Sequence, residues 1–119
     1  MIRVFLVDDD VALQNVYRAI FPINLIDIVC QAFDGAEAVK TVEDGAEFDV
    51  IVMDQRMPVM DGVTATRKIL EKNSGIRILF LSADEGSREA ALEAGARSFL
   101  IKPVKLDVLM DAISRIAAS

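Results

Sequence analysis

Short apolar runs recur along the chain, and they predict five β-strands. The runs cover residues 2–7, 26–33, 50–53, 76–81 and 98–101. The central run, Val50-Ile51-Val52-Met53, contains no polar residue and is mostly β-branched. A run of this kind is typical of a parallel strand that is buried on both faces of a sheet.

The stretches between these runs predict five helices. They cover residues 11–21, 36–43, 63–72 and 87–94, and the last one contains residues 106–116. The positions with helical spacing are Val11, Val16 and Ile20 in the first helix, Val63, Thr66, Ile69 and Leu70 in the third, and Leu106, Leu109, Met110, Ile113 and Ile116 in the last. We expect the last stripe to pack in the core rather than to bind a partner.

The alternation of strands and helices indicates a doubly wound α/β fold. Because each strand is followed by a helix over a short loop, the strands should be parallel, with right-handed crossovers and helices on both faces. We predict a (βα)5 three-layer sandwich whose five-stranded parallel sheet has the order 2-1-3-4-5. No linker, repeat or low-complexity tract interrupts the pattern, so we expect residues 1–119 to form a single domain.

The composition narrows the cellular setting. Although 53% of the residues are hydrophobic, no apolar run approaches the roughly 18 residues that a membrane span needs. The first three residues lack the shape of a signal peptide. Cys30 is the only cysteine, which excludes a disulfide framework, suits a reducing compartment and favours a packing role for its thiol. We therefore expect a cytoplasmic protein that does not bind membranes.

Charge and missing residue types exclude several functions. Nineteen acidic and 13 basic residues give a net charge of −6, which argues against direct binding of nucleic acid. The chain contains no histidine. Imidazole metal sites, histidine-dependent catalytic triads and a phosphohistidine relay within this chain are therefore excluded.

Polar residues follow four of the predicted strands at the points where these strands end. Asp8 and Asp9 follow the first strand, Asp54 the third, Ser82 the fourth and Lys102 the fifth. Ligands of open α/β sheets bind at the carboxyl ends of the strands, so we expect these side chains to converge there. Three neighbouring carboxylates repel one another unless a cation lies between them, and an all-oxygen set suits Mg²⁺.

The same cluster offers the parts for phosphoryl transfer. Asp54 could act as the nucleophile toward a phosphoryl group, while Mg²⁺, the Lys102 ammonium and the Ser82 hydroxyl neutralise charge. Simpler roles are open to each side chain: Asp54 and Ser82 could be strand-end turn residues, and Lys102 a solvated lysine. Asp10 is expected only to cap the first helix.

With these motifs in order, the chain resembles the receiver domain of two-component response regulators over essentially its whole length. The motifs that carry the resemblance are Asp8-Asp9, Asp54 with Met57-Pro58 and Asp61-Gly62, Ser82-Ala83, Gly95-Ala96 and Lys102-Pro103. The resemblance implies a phosphoprotein of a signal-transduction system. Such a protein catalyses only its own phosphorylation and dephosphorylation and is not otherwise an enzyme.

The resemblance also implies roles for individual residues. Asp54 would accept a phosphoryl group, as an aspartyl phosphate, from the phosphohistidine of a sensor histidine kinase or a phosphotransfer protein. Asp9, Asp54 and the backbone carbonyl of Arg56 would bind Mg²⁺ directly, and Asp8 would bind it through water. Lys102 would pair with the phosphoryl group, and the bond from Lys102 to the following proline is expected to be cis.

A switch and a partner surface follow from the same resemblance. Ser82 would move toward the phosphoryl oxygens, and Phe99, at the position of the family's aromatic switch residue, would turn into the space that Ser82 leaves. Simple core packing is the alternative for Phe99. The face formed by the fourth helix, fifth strand and fifth helix would bind a downstream protein effector or a fused output domain. The resemblance also allows a phosphorylation-dependent homodimer.

Two charged residues at the mouth of the predicted site allow several interpretations. Arg56 follows Asp54 by two positions, and Asp84 follows Ser82 by two. Their opposite charges could pair across the opening and obstruct an attacking water, or Arg56 could contact the phosphoryl oxygens directly. Alternatively, Asp84 caps the next helix and Arg56 is solvated.

Three functions compete for this sequence. The first is a phosphorylation-controlled switch. The second is a phosphatase similar to haloacid-dehalogenase-like hydrolases, which place a second aspartate two residues after the nucleophile; Arg56 stands at that position and argues against it. The third is a phosphorylation-independent docking module, which the intact acidic cluster and Lys102 disfavour. The chain could be a free-standing regulator or a receiver cut from a longer one.

Overall fold

The computed structural model describes residues 1–119 and contains the expected alternation of strands and helices. The strands are β1 (Ile2–Val7), β2 (Ile26–Ala32), β3 (Val50–Met53), β4 (Ile78–Ser82) and β5 (Ser98–Ile101). The helices are α1 (Val11–Ile20), α2 (Gly35–Glu43), α3 (Gly62–Lys72), α4 (Arg88–Ala94) and α5 (Leu106–Ala118). All strand pairs are parallel and the order is β2-β1-β3-β4-β5, so the predicted doubly wound fold is confirmed.

Helices cover both faces of the sheet, and each face has its own core. The core beneath α2, α3 and α4 contains Ile51 and Met53, whereas the core beneath α1 and α5 contains Val50 and Val52. Successive residues of a strand point to opposite faces, so every residue of β3 is buried. This double burial explains why β3 has no polar member. None of the five helices has the length and apolar character of a membrane-spanning segment.

The apolar spacing that predicted α1 does not mark its buried face. Val11 and Val16 are 58% and 49% exposed, whereas Gln14 is 1% exposed. The helix begins where expected because the Asp10 carboxylate accepts the N–H of Leu13 at 3.0 Å, which confirms the predicted cap. The spacing therefore predicted the helix correctly but not its buried side, where the polar Gln14 lies.

Several element ends differ from the predicted ones by one or two residues. A 3-10 turn, Phe21–Asn24, follows α1, and another, Glu85–Ser87, precedes α4. Strand β4 begins at Ile78 rather than at residue 76 because the N–H of Ile76 still donates to the carbonyl of Asn73 in the turn after α3. These differences are confined to the ends of the elements. The C-terminal end of each strand still lies at the carboxyl edge of the sheet.

Val59, in the loop between β3 and α3, adopts a strained backbone conformation. Its φ angle is 68°, which is rare for a β-branched residue, and its side chain is 83% exposed and gains little packing in return. Asparagine tolerates this conformation, so Val59→Asn should raise the free energy of unfolding by about 1 kcal/mol. Urea denaturation would show a higher midpoint with an unchanged slope.

Val59→Ala is the matched control for this prediction. Alanine removes the β-branch but keeps a Cβ, so the variant should recover only part of the stabilisation. A midpoint for Val59→Asn no higher than that of Val59→Ala would contradict the assignment of backbone strain to this residue.

Candidate functional site

Side chains from the ends of β1, β3 and β5 meet at the carboxyl edge of the sheet. Lys102 Nζ lies 2.6 Å from Asp8 Oδ2 and 3.5 Å from Asp54 Oδ2. Carboxylate oxygens of Asp8, Asp9 and Asp54 lie within 4.8 Å of one another. The structure therefore brings together the three acidic residues and the lysine that the sequence placed at the strand ends.

The loop from β1 to α1 holds its two carboxylates differently. Asp8 is 3% exposed, and its Oδ1 accepts the N–H of Asp10 at 2.9 Å. Asp9 is exposed. Asp8 is therefore fixed beside Lys102, and Asp9 stands at the open side of the cluster.

The backbone around Asp54 is held tightly against α3. The Asp54 carboxylate is buried, and its Oδ1 accepts the N–H of Gln55 at 2.8 Å. A Cβ atom on Gly62 would lie 2.1 Å from the carbonyl oxygen of Asp54, so only glycine fits at this position. Asp61 caps α3 by accepting the N–H of Thr64 at 2.9 Å. The Asp61-Gly62 pair thus fixes the acceptor loop by a cap and by a close backbone approach.

The site carries more negative than positive charge. Burial raises the pKa of Asp54 and the charge of Asp8 raises it further, although Lys102 and the Gln55 N–H favour the ionised form. Burial works to lower the pKa of Lys102, but the hydrogen bond to Asp8 and the charges of Asp54 and Asp8 outweigh it, so the pKa of Lys102 is raised. Lys102 therefore stays charged at neutral pH, yet one ammonium faces three carboxylates.

The donor set fits Mg²⁺. Three carboxylates with no nitrogen or sulfur ligand match the preference of this ion for oxygen, and Mg²⁺ is usually held by one or two carboxylates together with waters. The backbone carbonyl of Arg56 accepts none of the backbone hydrogen bonds of the loops and turns, so it is available as a further ligand. Asp9, Asp54 and this carbonyl could therefore hold the ion. Asp8 lies deeper in the cluster, beside Lys102.

Ser82, Asp84 and Arg56 form the mouth of the site. Ser82 is 1% exposed, and its Oγ accepts the N–H of Asp84 at 3.1 Å. Arg56 Nε donates to Asp84 Oδ2 at 3.2 Å, with 82% of the Arg56 side chain exposed. The Asp84 side chain does not cap the following 3-10 turn, so that interpretation of Asp84 is wrong. The structure contains the ion pair across the opening instead.

Phe99 is buried in this structure. Its side chain is 3% exposed, and its ring stacks on Phe80 with a centroid distance of 5.9 Å. The Arg88 guanidinium lies 5.3 Å from the ring centroid, and Arg88 Nη2 donates to the Phe99 carbonyl at 3.4 Å. The buried ring fits the core-packing interpretation, and its movement on phosphorylation stays a prediction.

Sequence reasoning missed three polar contacts around the site. They are made by Gln14, which is buried below the β1–α1 loop, by Gln55, whose Oε1 accepts the N–H of Val63 at 2.8 Å, and by Arg88. The only signal for Gln14 was a polar residue amid the apolar positions of α1. Two smaller expectations are met: the Lys102–Pro103 bond is cis, and burial raises the pKa of the Cys30 thiol, as suits a packing residue.

Comparisons with known proteins agree with this geometry. The family model described as the response regulator receiver domain matches residues 4–114. The chemotaxis protein CheY of Bacillus subtilis (strain 168) is 32% identical over 115 residues, which cover 95% of each chain.

Two solved structures are similar over nearly the whole chain. One is the receiver domain of a sensor histidine kinase from Pseudomonas aeruginosa PAO1, with a magnesium ion coordinated in its active site cleft (TM-score 0.88, 34% identity, 99% of this chain and 98% of that one). The other is a CheX–CheY–BeF3–Mg complex from Borrelia burgdorferi (TM-score 0.84, 32% identity, 96% and 88%). With its strand order, its acidic cluster and these matches, the chain belongs to the response regulator receiver domain family of two-component signalling.

Proposed function

We propose that this receiver domain is a phosphorylation-controlled switch and that Asp54 is its phosphoacceptor. The observation that carries the proposal is the placement of Asp54 Oδ2, which lies 3.5 Å from the Lys102 ammonium in a cluster of three carboxylates. Oδ1 of Asp54 is engaged by the Gln55 N–H, so Oδ2 is the oxygen left to attack a phosphoryl group. A buried nucleophile flanked by cationic charge suits phosphoryl transfer, which depends mainly on alignment and charge neutralisation.

The transfer forms one bond and breaks one. Asp54 Oδ2 forms a bond to phosphorus, and the bond from phosphorus to the imidazole nitrogen of a phosphohistidine breaks, leaving the electron pair on that nitrogen. Lys102 Nζ, now shared between Asp8 and Asp54, would turn to a phosphoryl oxygen. Mg²⁺, when bound, would supply the remaining positive charge to the phosphoryl oxygens.

Relatives support the ion and the partners that we propose. Magnesium lies in the active site cleft of the Pseudomonas receiver domain, and CheY of Borrelia burgdorferi forms its complex with CheX together with BeF3 and magnesium. By analogy we propose Mg²⁺ as the cofactor of this chain, a sensor histidine kinase or phosphotransfer protein as the phosphoryl donor, and a protein effector or output domain as the target. The α4–β5–α5 face would change its affinity for that target.

The experiment that tests the acceptor is labelling from a small acyl phosphate in the presence of Mg²⁺. Wild-type protein should acquire an acid-labile, hydroxylamine-sensitive phosphoryl group, and Asp54→Asn should acquire none. Asp10→Asn is the matched control, because it makes the same change in the helix cap, where asparagine serves as well as aspartate. Full labelling of Asp54→Asn, or its loss in both variants, would contradict the role of Asp54.

The switch would act through a shift of populations. Movement of the Ser82 hydroxyl toward a phosphoryl oxygen would break its hydrogen bond with the Asp84 N–H. Phe99 already lies inside beneath Arg88, so phosphorylation would increase the occupancy of this arrangement rather than create it. At the α4–β5–α5 face, phosphorylation would therefore change only how often the Phe99 ring is buried. The Arg88 guanidinium favours the buried ring in both the phosphorylated and the unphosphorylated state.

The ion pair between Arg56 and Asp84 should lengthen the life of the phosphoryl group. The pair crosses the opening beside Asp54, so it obstructs the path of an attacking water, although an exposed pair adds little to stability. Arg56→Asn should therefore speed loss of the phosphoryl group several-fold while leaving Mg²⁺ affinity nearly unchanged. The measurement is the decay of labelled protein with no phosphatase present.

Arg67→Asn is the control for the decay measurement. It removes a positive charge from the groove between α3 and α4, outside the acidic cluster. Its decay rate should match that of the wild-type protein. Equal decay rates in Arg56→Asn and wild type would overturn the proposed obstruction.

A further inference from the structure

Gln14 is a buried polar residue that hydrogen-bonds the backbone leading into the acidic cluster. It lies in α1 and is 1% exposed. Its Nε2 donates to the backbone carbonyls of Asp8 and Ala32, both at 2.8 Å. Its Oε1 accepts a hydrogen bond from Gln31 Nε2 at 2.6 Å. A buried amide is costly unless its donors and acceptor are satisfied, and here both donors and the acceptor are.

The two carbonyls that Gln14 joins belong to the ends of neighbouring strands. Asp8 directly follows β1, and Ala32 is the last residue of β2. The Asp8 N–H also donates to the Ala32 carbonyl at 3.1 Å. Asp8 is therefore held at both its N–H and its C=O, and the second of these contacts depends on Gln14.

The carbonyl of Asp8 belongs to the peptide unit that leads into Asp9. A peptide unit is planar, so fixing its oxygen also fixes the direction in which the chain enters the Cα atom of Asp9. Asp9 is exposed and its carboxylate makes no hydrogen bond or ion pair within the chain. Two side-chain contacts thus hold the backbone from which the Asp9 carboxylate projects: the Gln14 amide on the Asp8 carbonyl, and Asp8 Oδ1, which accepts the N–H of Asp10.

We propose that Gln14 is a positioning residue for the cation site, acting on the peptide unit between Asp8 and Asp9. This inference rests on the proposed function, because it assumes that Asp9 binds Mg²⁺. Without the amide, the only side-chain contact that still holds this stretch is the bond from the Asp10 N–H to Asp8 Oδ1, so the Asp8–Asp9 peptide gains freedom to rotate and the Asp9 carboxylate loses its fixed distance to Asp54. Mg²⁺ demands near-ideal octahedral geometry, so this loss would weaken binding.

The test compares Mg²⁺ binding by Gln14→Met and by wild type, using isothermal titration calorimetry. Methionine has nearly the same length and volume as glutamine but donates no hydrogen bond. We expect the dissociation constant for Mg²⁺ to rise about tenfold or more, the usual cost of losing a group that orients a metal ligand. A purely structural role would lower the melting temperature and leave this dissociation constant unchanged.

Gln31→Met is the matched control. It removes the hydrogen bond to Oε1 of Gln14 and leaves the two bonds from Nε2, so its Mg²⁺ dissociation constant should stay within about twofold of wild type. If Gln14→Met fails to fold, Gln14→Asn replaces it, since the shorter amide keeps the polar group and cannot reach both carbonyls.

The outcomes separate this inference from the proposed function. Undiminished Mg²⁺ affinity in the folded Gln14 variant, or an equal loss in the Gln14 and Gln31 variants, would overturn the positioning role alone. Absence of Mg²⁺ binding by the wild-type protein would overturn the proposed cation site and this inference with it.

Discussion

Gly62→Ala should destabilise the protein by about 3 kcal/mol or more, the largest effect that we expect of a single added methyl group. The new Cβ would lie 2.1 Å from the carbonyl oxygen of Asp54 and 3.0 Å from its carbonyl carbon. Both are backbone atoms, so no flexible side chain can move aside. Relief requires a shift of α3 away from the end of β3, which would pull the Asp54 loop out of register with the other strand ends.

Urea denaturation of Gly62→Ala and Gly86→Ala would test this prediction. At Gly86 the nearest atom to an added Cβ is the flexible Asp84 Oδ1 at 3.4 Å, an ordinary contact. Gly86→Ala should therefore leave the unfolding midpoint nearly unchanged, whereas Gly62→Ala should lower it strongly. Similar midpoints for the two variants would show that the close approach of Gly62 to Asp54 does not constrain the loop.

Asp9→Ala should abolish most of the stabilisation that Mg²⁺ gives to the fold. A ligand that binds only the native state stabilises it by RT ln(1 + [L]/Kd), which is about 2.7 kcal/mol when the ligand is at 100 times its Kd. Asp9 is the exposed member of the three-carboxylate cluster, so its loss would remove a proposed direct ligand without opening a cavity in the core. Thermal unfolding over a range of Mg²⁺ concentrations measures the difference.

In the absence of Mg²⁺, Asp9→Ala should be more stable than the wild-type protein. Asp9→Ala relieves repulsion among three carboxylates, so it should unfold at a higher temperature than wild type in a chelator at neutral pH. Because burial and the charge of Asp8 raise the pKa of Asp54, the wild-type protein loses stability as the pH rises from the ordinary carboxyl pKa through that raised value. The advantage of Asp9→Ala should therefore fade in acid.

A Mg²⁺-induced rise in the melting temperature of Asp9→Ala equal to that of wild type would refute the role of Asp9.

The fold and the convergence of the site could be predicted from sequence because both depend on the backbone pattern. Four consecutive apolar residues in β3 require burial on both faces, and this requirement fixes the position of β3 in the middle of the sheet. Once the strands are parallel, their carboxyl ends share an edge whatever the details of packing. Their placement at the ends of parallel strands is therefore enough to predict that Asp8, Asp54 and Lys102 meet.

The contacts that sequence reasoning missed depend on side-chain geometry across elements. Gln14 takes a core position because carbonyls of two strand ends happen to lie within reach of its amide. Arg88 lies over the Phe99 ring, although nothing in the spacing of α4 and β5 distinguishes it from a solvated arginine. Polar residues of this kind are placed by partners far away in the sequence, so local periodicity carries no signal for them.

The identity of the phosphoacceptor is tested most directly by locating the modified residue. After incubation with an acyl phosphate and Mg²⁺, borohydride reduces an aspartyl phosphate to homoserine, and mass spectrometry of the digested protein shows its position. We predict homoserine at position 54 of the wild-type protein and at no position of Asp54→Asn. Homoserine at Asp8 or Asp9, or a stable phosphate ester on Ser82, would contradict the assignment of Asp54 as the phosphoacceptor.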